Sequence, residues 1–302
     1  MNVLITGGTG LIGKRLTEKL LEMGFTVSHL SRSPSDSKMV KTYRWNIDKQ
    51  EIDDKAIAEA DFLIHLAGAG VADQRWSPAR KTEIINSRTK SLELIAGRLS
   101  KIPHKIRAFS SASGIAYYGI DTKNEKISEQ HSAGSDFLAK VSVDWEKAAD
   151  LIQHAGIRTT KLRTGIVLTK EGGALGKMTM PVRLGIGAPL GSGQQFQSWI
   201  HIDDLCEMYI KSLLDEKMCG AYNAVAPNPV KNAELTKIAA EVLKKPLWLP
   251  NIPAWVLKLI FGEMSEIILG SSYILNQRIE QETDFIYQYS DIKSALQALT
   301  GK

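Results

Sequence analysis

The sequence predicts an α/β protein with a doubly wound parallel sheet and a smaller C-terminal lobe. Over the first half of the 302 residues, short β-rich runs alternate with helical patterns. That alternation is typical of right-handed βαβ units, which build a parallel sheet. After about residue 165 it gives way to glycine-rich loops and separate helices. We therefore expect residues 1–165 to form the sheet domain and residues 166–302 mainly the lobe, with some elements of 166–230 returning to the sheet.

The individual elements follow from periodicity. Five apolar runs indicate buried strands at residues 2–6, 26–31, 61–67, 106–111 and 157–163. Amphipathic stretches between them indicate helices at about 11–23, 79–100 and 136–155. Because parallel strands carry their ligands at the carboxyl edge of the sheet, we look for a site in the loops that follow these strands.

Composition and charge exclude several classes of protein. The 38 basic and 33 acidic residues are spread without a long Lys/Arg run, so we expect no nucleic-acid partner. The most apolar late stretch, 252–262, is short and contains Lys258, so we expect no membrane span. The chain opens on a strand pattern without a leader, which makes the cytoplasm the expected compartment. Neither the two cysteines nor the six histidines have metal-binding spacing, so we expect no metal site.

The sequence LITGGTGLIGKRL, near the start of the chain, contains Gly7-x-x-Gly10-x-x-Gly13 between the first strand and the first helix. The first glycine allows a tight turn, the second lets the backbone approach a pyrophosphate, and the third lets the helix pack closely. The pyrophosphate then meets the N–H groups of a helix N-terminus. The cofactor-binding residues predicted here are Gly7, Thr9, Gly10, Leu11, Ile12 and Gly13.

The end of the second strand indicates which dinucleotide is bound. An NAD-selective site usually carries Asp or Glu there, to bind the ribose 2′-hydroxyl. This chain has Ser31 and Arg32 instead. A guanidinium matches the geometry and charge of a 2′-phosphate, so NADP is the expected cofactor. A solvent-facing arginine without a ligand is the alternative.

Several motifs together resemble a known family. TGxxGxxG at the N-terminus, HLAG at 65–68 and SWIHIDDL at 198–205 are similar to those of extended short-chain dehydrogenases/reductases. The stretches SASGIAYYG (111–119), RTGIVLTKEGGALGKM (163–178) and APNPVKNAE (226–234) are similar to the atypical NAD(P)-dependent epimerase family. The resemblance covers nearly the full chain. It implies a Rossmann domain with bound NADP and a C-terminal substrate lobe, but no particular substrate.

The resemblance also implies roles for individual residues. The cofactor neighbours that it adds to Ser31 and Arg32 are Leu66, Ala67, Gly68, Glu83, Arg88 and Val167. Glu83 and Arg88 also fit the solvated face of an amphipathic helix, so that alternative stays open. The substrate contacts that it implies are Gln195, Trp199 and His201. A buried structural role fits His201 equally well.

The catalytic helix departs from the family pattern. Typical members carry Tyr-x-x-x-Lys on this helix and a serine after the preceding strand. Aligning the chain on Lys140 puts Asp136 in the tyrosine position, and aligning it on Phe137 puts Val141 in the lysine position. Either way the usual proton donor is missing. We expect a replacement phenol in the loop that follows the serines, and the predicted catalytic residues are Ser111, Ser113 and Tyr118.

Two functions compete at this point. The first is an NADP-dependent oxidoreductase or epimerase acting on a small carbonyl or hydroxyl substrate, possibly sugar-derived. The second is a non-enzymatic NADP-binding sensor or scaffold. The intact phosphate loop and the serine–tyrosine cluster favour the enzyme, and the missing tyrosine favours the sensor. A role in cell division, a label that some relatives carry, is a third alternative. We expect a monomer or a homodimer.

Overall fold

The computed structural model describes residues 1–33 and 39–300. The strands, in chain order, are β1 (Asn2–Thr6), β2 (Thr26–Ser31), β3 (Lys41–Asn46), β4 (Glu51–Ile52), β5 (Phe62–His65), β6 (Ala108–Gly114), β7 (Lys126–Ile127), β8 (Arg158–Thr164), β9 (Ile166–Leu168), β10 (Phe196–Gln197), β11 (Trp199–His201), β12 (Gly220–Ala224), β13 (Val230–Lys231) and β14 (Tyr273–Ile274).

The helices are α1 (Leu11–Glu22), α2 (Asp54–Glu59), α3 (Pro78–Leu99), α4 (Phe137–His154), α5 (Gly173–Arg183), α6 (Ile202–Leu214), α7 (Asn232–Val242), α8 (Ala254–Phe261), α9 (Ser265–Leu269), α10 (Gln277–Glu282) and α11 (Ile292–Thr300). Two short 3₁₀ turns cover Ile115–Tyr118 and Gly262–Met264.

The central sheet has eight strands in the order β12-β8-β6-β5-β1-β2-β3-β4. All neighbours run parallel except the short edge pair β3–β4, which is antiparallel. From β1 the chain first builds outward through β2 and β3, and then returns to build β5, β6 and β8 on the other side. The doubly wound parallel sheet predicted from the sequence is confirmed. The order reverses at β1, and a crevice opens there at the carboxyl edge of such sheets.

The alternation of side chains in β1 explains why helices cover both faces. Val3 and Ile5 point to one face and pack in a core with residues of α1 and α6. Leu4 points to the other face and packs in a second core with residues of α3 and α4. All three side chains are fully buried. A strand that is apolar on both faces is typical of a parallel sheet between helical layers.

Elements after residue 165 contribute both to the sheet and to a separate smaller core. Strand β12 is an edge strand of the sheet beside β8. A further core consists only of residues beyond 165, among them Leu168, Trp199, Leu235 and Leu296. A domain boundary at residue 165 stays a prediction. No helix in the described ranges is both long enough and apolar enough to cross a membrane.

The C-terminal segment is anchored to earlier parts of the chain. Strand β14 pairs in parallel with β7. The fully buried carboxylate of Asp204, in α6, accepts hydrogen bonds from the backbone N–H groups of Gln288 (2.8 Å) and Tyr289 (3.1 Å). Burial raises the pKa of Asp204, and these two N–H donors oppose that rise. The segment therefore closes the fold by pairing groups that would otherwise be buried without partners.

The glycine loop fixes the start of α1 against β1. Gly7 has a positive φ of 71°, a conformation that favours glycine. A Cβ on Gly13 would lie 2.3 Å from the carbonyl oxygen of Gly7 and 2.6 Å from Cα of Gly8. The backbone of the first turn of α1 therefore touches the loop directly, because no side chain intervenes.

We expect Gly13→Ala to lower the free energy of unfolding by about 1–3 kcal/mol, because the added methyl group must displace backbone. Gly97→Ala, in α3, is the matched control because a Cβ there meets no atom within 4 Å. The control should raise stability by up to about 1 kcal/mol through helix propensity. Urea denaturation followed by circular dichroism measures both. Equal effects of the two substitutions would contradict the contact at Gly13.

Candidate functional site

A cleft runs along the carboxyl edge of the sheet and consists of two adjoining cavities. The β2-side cavity has a volume of about 760 Å³ and extends from the glycine loop to the end of β2. The α4-side cavity has a volume of about 740 Å³ and extends from the same loop to α4. Residues that line both are Gly7, Gly10, Leu66, Gly70 and Asp73. The two cavities are therefore halves of one continuous cleft that meet at the glycine loop.

The β2-side cavity brings together most of the predicted cofactor residues. They are Gly7, Thr9, Gly10, Ser31, Arg32, Leu66, Ala67, Gly68 and Glu83. Arg32 is exposed at the cavity, and the Ser31 hydroxyl accepts a hydrogen bond from the backbone N–H of Ser33 (3.3 Å). Glu83 forms an ion pair with Arg80 (2.7 Å), so its carboxylate is already engaged at the rim.

The α4-side cavity holds the remaining predicted cofactor residues, namely Leu11, Ile12, Gly13, Arg88 and Val167. Gly10 is the N-cap of α1 and lines both cavities, so the first turn of this helix opens onto the middle of the cleft. The free N–H groups of a helix N-terminus attract anions.

Arg88 is a buried cation beside this loop. It is 8% exposed, and its Nη1 donates to the carbonyl oxygens of Ile84 (2.8 Å) and Ala69 (3.0 Å). The guanidinium lies 4.7 Å from the Trp145 ring centroid. Burial, with a smaller contribution from the charge of Arg80, lowers the pKa of Arg88 to about 10.

Arg88 lacks a counter-ion in the part of the chain that the structure describes, where none of the ion pairs includes it and its buried Nε has no hydrogen-bond partner. A buried charge is costly unless it is paired. A phosphate would supply both the missing charge and the missing acceptor. Together with the glycine loop, Arg88 therefore makes the cleft a fitting site for a dinucleotide.

The helix α4 presents an unusual face to the cleft. The side chains that line the α4-side cavity are Leu138, Val141, Ser142 and Trp145. Two pairs of these side chains have the spacing of Tyr-x-x-x-Lys, Leu138 with Ser142 and Val141 with Trp145. Of the two registers considered from the sequence, the first has neither Asp136 nor Lys140 in the lining, and the second has only Val141 there. The usual tyrosine is absent from this face of α4.

Asp136 and Lys140 have other surroundings. Asp136 is the N-cap of α4, and its carboxylate accepts from the backbone N–H groups of Ala139 (3.0 Å) and Ile120 (2.8 Å). Lys140 is exposed. Asp136 lies just before the helix, where its role is to cap the free N–H groups of the first turn.

Ser113 lines the α4-side cavity, as a residue predicted to be catalytic should. Its hydroxyl donates to Oε1 of Glu146 (2.8 Å). Arg163 binds the same carboxylate through two hydrogen bonds, Nε to Oε1 (2.7 Å) and Nη2 to Oε2 (2.8 Å). Since the serine proton is directed at Glu146, Ser113 presents lone pairs to the cavity.

Tyr118 lies at the far end of this buried chain of contacts. Its hydroxyl accepts from Nη1 of Arg163 (2.8 Å) and donates to Oδ1 of Asn223 (2.8 Å). Burial raises the pKa of Tyr118 to about 12, against the opposing charge of Arg163. Tyr118 lines neither cavity. Two buried partners behind the cleft occupy this hydroxyl, so the structure does not bring the predicted replacement phenol to the cavity.

Ser111 is also away from the cleft. It is buried in β6, its hydroxyl donates to the carbonyl oxygen of Ala112 (3.0 Å), and it lines neither cavity. Ser111 and Ser113 are two residues apart and share a face of the strand, so what brings Ser113 to the cleft is its position nearer the carboxyl end of β6. Of the three predicted catalytic residues, the structure brings only Ser113 to the cavity.

The predicted substrate residues Gln195 and Trp199 are structural. Nε2 of Gln195 donates to the carbonyl oxygens of Leu190 (2.9 Å) and Ile268 (3.2 Å). Trp199 is fully buried, and its indole N–H donates to the carbonyl oxygen of Asn228 (2.9 Å). Gln195 and Trp199 line neither cavity, so the structure does not bring these two predicted substrate contacts to the cleft.

His201 is structural as well. It is buried as the N-cap of α6, its Nδ1 accepts from the backbone N–H of Asp203 (3.1 Å), and its ring stacks on Tyr289 at 3.8 Å. Burial lowers the pKa of His201 to about 4, so the ring is neutral near neutral pH. His201 lines neither cavity, and its contacts fit the buried structural role that the sequence left open.

The residues of this stretch that reach the α4-side cavity are Phe196, Gln197 and Ser198. The sequence reasoning missed Gln197. Strand β10 contains only Phe196 and Gln197, so Gln195 lies outside it. The alternation of side chains along a strand therefore does not determine the direction of Gln195. Within the described ranges, no group of three or more His, Cys, Asp or Glu residues is arranged to hold a metal.

Comparison with known proteins identifies a family for this chain. The sequence model of the NAD dependent epimerase/dehydratase family matches residues 3–224. The chain belongs to this family. A second model, a domain of unknown function called DUF1731, matches residues 252–299 of this epimerase-family protein. The resemblance stated from the sequence motifs is therefore confirmed.

Individual relatives of this epimerase-family protein cover nearly the whole chain. It is 34% identical to the chloroplastic epimerase family protein SDR39U1 homolog of Arabidopsis thaliana, over 99% of this chain and 86% of the relative. The crystal structure of human epimerase family protein SDR39U1 with NADPH is 30% identical, with a TM-score of 0.89 over 99% of both chains. The structure of a nucleoside-diphosphate sugar epimerase from Corynebacterium glutamicum is 31% identical, with a TM-score of 0.81 over all of this chain and 58% of that one.

In this epimerase-family protein we expect Tyr118→Phe to lower the free energy of unfolding by about 1–3 kcal/mol, because it leaves Nη1 of Arg163 and Oδ1 of Asn223 without a buried hydrogen-bond partner. The affinity for NADPH should stay unchanged. Tyr117→Phe is the matched control, since its hydroxyl makes no hydrogen bond among the described residues and its ring keeps the contact with Arg163 at 3.4 Å. Chemical denaturation and calorimetric titration measure the two quantities. A Tyr118→Phe variant with normal stability and weakened NADPH binding would reinstate Tyr118 as a cleft residue.

Proposed function

We propose that this protein binds NADP(H) in the cleft and acts as an oxidoreductase on a small carbonyl or hydroxyl substrate. The observation that carries the proposal is the meeting of the glycine loop, the N-terminus of α1 and the unpaired Arg88 at the centre of the cleft. These groups match the pyrophosphate of a dinucleotide in charge and in hydrogen-bonding capacity. The likeness to the human relative solved with NADPH supports the same assignment.

The two halves of the cleft suit the two halves of the cofactor. Ser31 and Arg32 would hold the 2′-phosphate of the adenosine in the β2-side cavity. The nicotinamide half of the cofactor, from the pyrophosphate to the nicotinamide ring, would lie in the α4-side cavity. There Arg88 would hold the pyrophosphate and Val167 would lie beside the nicotinamide. When bound, the cofactor supplies or accepts a hydride. The chain's own contribution is to orient the cofactor and to surround its reactive end with apolar side chains that exclude water.

A hydride transfer is accompanied by a proton transfer, for which α4 presents no tyrosine or lysine to the cavity. The face of α4 offers Leu138, Val141, Ser142 and Trp145 where a typical member offers tyrosine and lysine. None of these four side chains is a usual general acid. This observation favours the second candidate function, a non-enzymatic NADP(H)-binding sensor or scaffold. A screen for NADPH oxidation across neutral carbonyl compounds separates the two functions, since the sensor binds NADPH and turns nothing over. The cytoplasm and a monomeric or homodimeric state stay predictions.

Arg32→Ala should remove the preference for NADPH over NADH, because the guanidinium no longer binds the 2′-phosphate. Charge-assisted hydrogen bonds of this kind contribute enough for about a tenfold or larger effect on affinity. Calorimetric titration of both cofactors measures it. Arg107→Ala, which removes an exposed cation just before β6 at the opposite edge of the sheet, is the control and should change nothing. Equal affinities of the wild type for NADPH and NADH would refute the assignment of Arg32.

Gly10→Val should weaken NADPH binding by about tenfold or more while changing the stability of the free protein by less than about 1 kcal/mol. Gly10 has an ordinary φ of −75°, and the nearest contact of an added Cβ is the carbonyl oxygen of Gly7 at 3.3 Å. The fold can therefore accommodate a side chain at Gly10, but that side chain occupies the space where the pyrophosphate would bind. Gly97→Val, in open space on α3, is the control. Normal NADPH binding by Gly10→Val would mean that the loop does not carry the cofactor.

A further inference from the structure

We propose that the α4-side cavity binds a neutral, mainly apolar alcohol or amine rather than a sugar nucleotide, and that Gln197 determines this specificity. The proposal rests on the proposed function only for the nicotinamide that would lie beside the ligand. Four features of the cavity support it: its charges, its apolar wall, the direction of its hydroxyl groups and one unpartnered amide.

The cavity offers almost no charge to a second ligand. Among the side chains that line it, only Asp73 and Arg88 are charged. Asp73 is 65% exposed at the rim, where its carboxylate pairs with Arg80 (3.7 Å). Arg88 is the group assigned above to the cofactor. A sugar nucleotide carries a diphosphate, which proteins bind through cationic side chains and helix N-termini. No further cation lines this cavity to pair with a second diphosphate.

The wall of the cavity is predominantly apolar. The side chains that form it include Val71, Ile115, Ile120, Leu138, Val141, Trp145, Phe196 and Ile267. Burying apolar ligand surface here is favourable by about 25 cal/mol per Å². A sugar ring would instead bury hydroxyl groups against carbon, and each unpaired polar group costs free energy. The wall therefore favours a hydrocarbon framework.

Six hydroxyl groups of the described residues line the cavity, and that of Thr169 accepts from the backbone N–H of Glu171 (3.4 Å). The other five donate to protein acceptors: Ser113 to Glu146, Ser142 to the carbonyl oxygen of Leu138, Thr164 to that of Leu162, Ser198 to that of Ser272 and Ser272 to that of Ile120. Their remaining lone pairs are acceptors. A ligand that is to bond with them must therefore bring a donor, a hydroxyl or an N–H group.

Gln197 and Trp145 are the uncharged lining side chains that have a buried polar atom without a hydrogen-bond partner among the described residues, the acceptor Oε1 on Gln197 and the donor Nε1 on Trp145. Gln197 is 8% exposed. Buried side-chain amides in native proteins are almost always paired, so an unpaired one at a cavity wall indicates a missing partner. A hydroxyl or N–H group of the ligand would supply it. The chemical class that fits all four features is a neutral apolar molecule with a hydrogen-bond donor.

A fluorescent probe of this class tests the proposal. N-phenyl-1-naphthylamine is neutral and apolar, carries one N–H donor, and becomes brighter in apolar surroundings. Titrated into protein saturated with NADP⁺, it should bind, and an excess of UDP-glucose should not displace it. Gln197→Leu should weaken binding by about three- to tenfold, the effect of one lost hydrogen bond. Gln194→Leu is the matched control and should leave binding unchanged, because Gln194 is exposed and pairs with Lys231 (2.9 Å).

Two further variants control for misfolding and for binding of the probe to the protein surface. Gln197→Met preserves the length of the side chain and replaces Gln197→Leu should the latter fail to fold, as judged by circular dichroism. Leu259→Ser removes an apolar side chain of α8 that is 73% exposed, and should not affect the probe. Probe binding that is lost in Leu259→Ser, or that is equal in Gln197→Leu and Gln194→Leu, would place the probe on the surface and overturn the proposal. Displacement by UDP-glucose would overturn it too.

The same samples distinguish this failure from failure of the proposed function. Calorimetric titration with NADP⁺ reports on the cofactor site alone. A protein that does not bind NADP⁺ contradicts the proposed function. A protein that binds NADP⁺ but not the probe leaves the proposed function intact and overturns the assignment of the ligand class.

Discussion

The buried ion pair between Glu146 and Arg163 is the interaction on which the cleft depends. Both side chains are almost fully buried, and two parallel hydrogen bonds join them. The pair connects α4 to β8, and its further partners are Ser113 in β6 and Tyr118 in the 3₁₀ turn. Breaking a buried pair by removing one partner generally costs about 3–5 kcal/mol, because the other charge is left uncompensated. The position of α4, and with it the shape of the cavity, is therefore fixed by electrostatics behind the site.

This arrangement also accounts for the chemical contrast between the two halves of the cleft. The polar groups that a dehydrogenase usually directs at its substrate are here turned into the protein, where Ser113 donates a hydrogen bond to Glu146 and Tyr118 accepts one from Arg163. The β2-side cavity has the glycine loop and the exposed Arg32. The α4-side cavity has the buried Arg88 and an apolar wall in which Gln197 and Trp145 carry unpaired polar atoms. The serine and tyrosine protons are thus directed behind the cleft, while the cleft keeps the groups that bind the cofactor.

The sequence could predict the sheet and the cofactor half because both depend on local patterns. Alternation of strands and helices determines the doubly wound topology, and the glycine spacing determines the loop that follows β1. The catalytic and substrate residues could not be predicted in the same way. Two contacts determine which face of α4 lines the cleft. Asp136 caps the start of the helix, and Glu146 pairs with Arg163, which is 17 residues away in the sequence. Likewise, Tyr118 and His201 have suitable chemistry, but packing turns them away from the cleft.

The anchoring of the C-terminal segment has a consequence for how the protein is made. Synthesis proceeds from the N-terminus, so the sheet, from β1 to β12, leaves the ribosome before residues 273–289 exist. Until then β7 has no β14 to pair with, and the carboxylate of Asp204 lacks the two N–H donors that it has in the finished fold. Residues 273–289 thus complete a fold whose sheet strands are made before them, and the pairing of β7 and of Asp204 is in place only once this stretch has been synthesised.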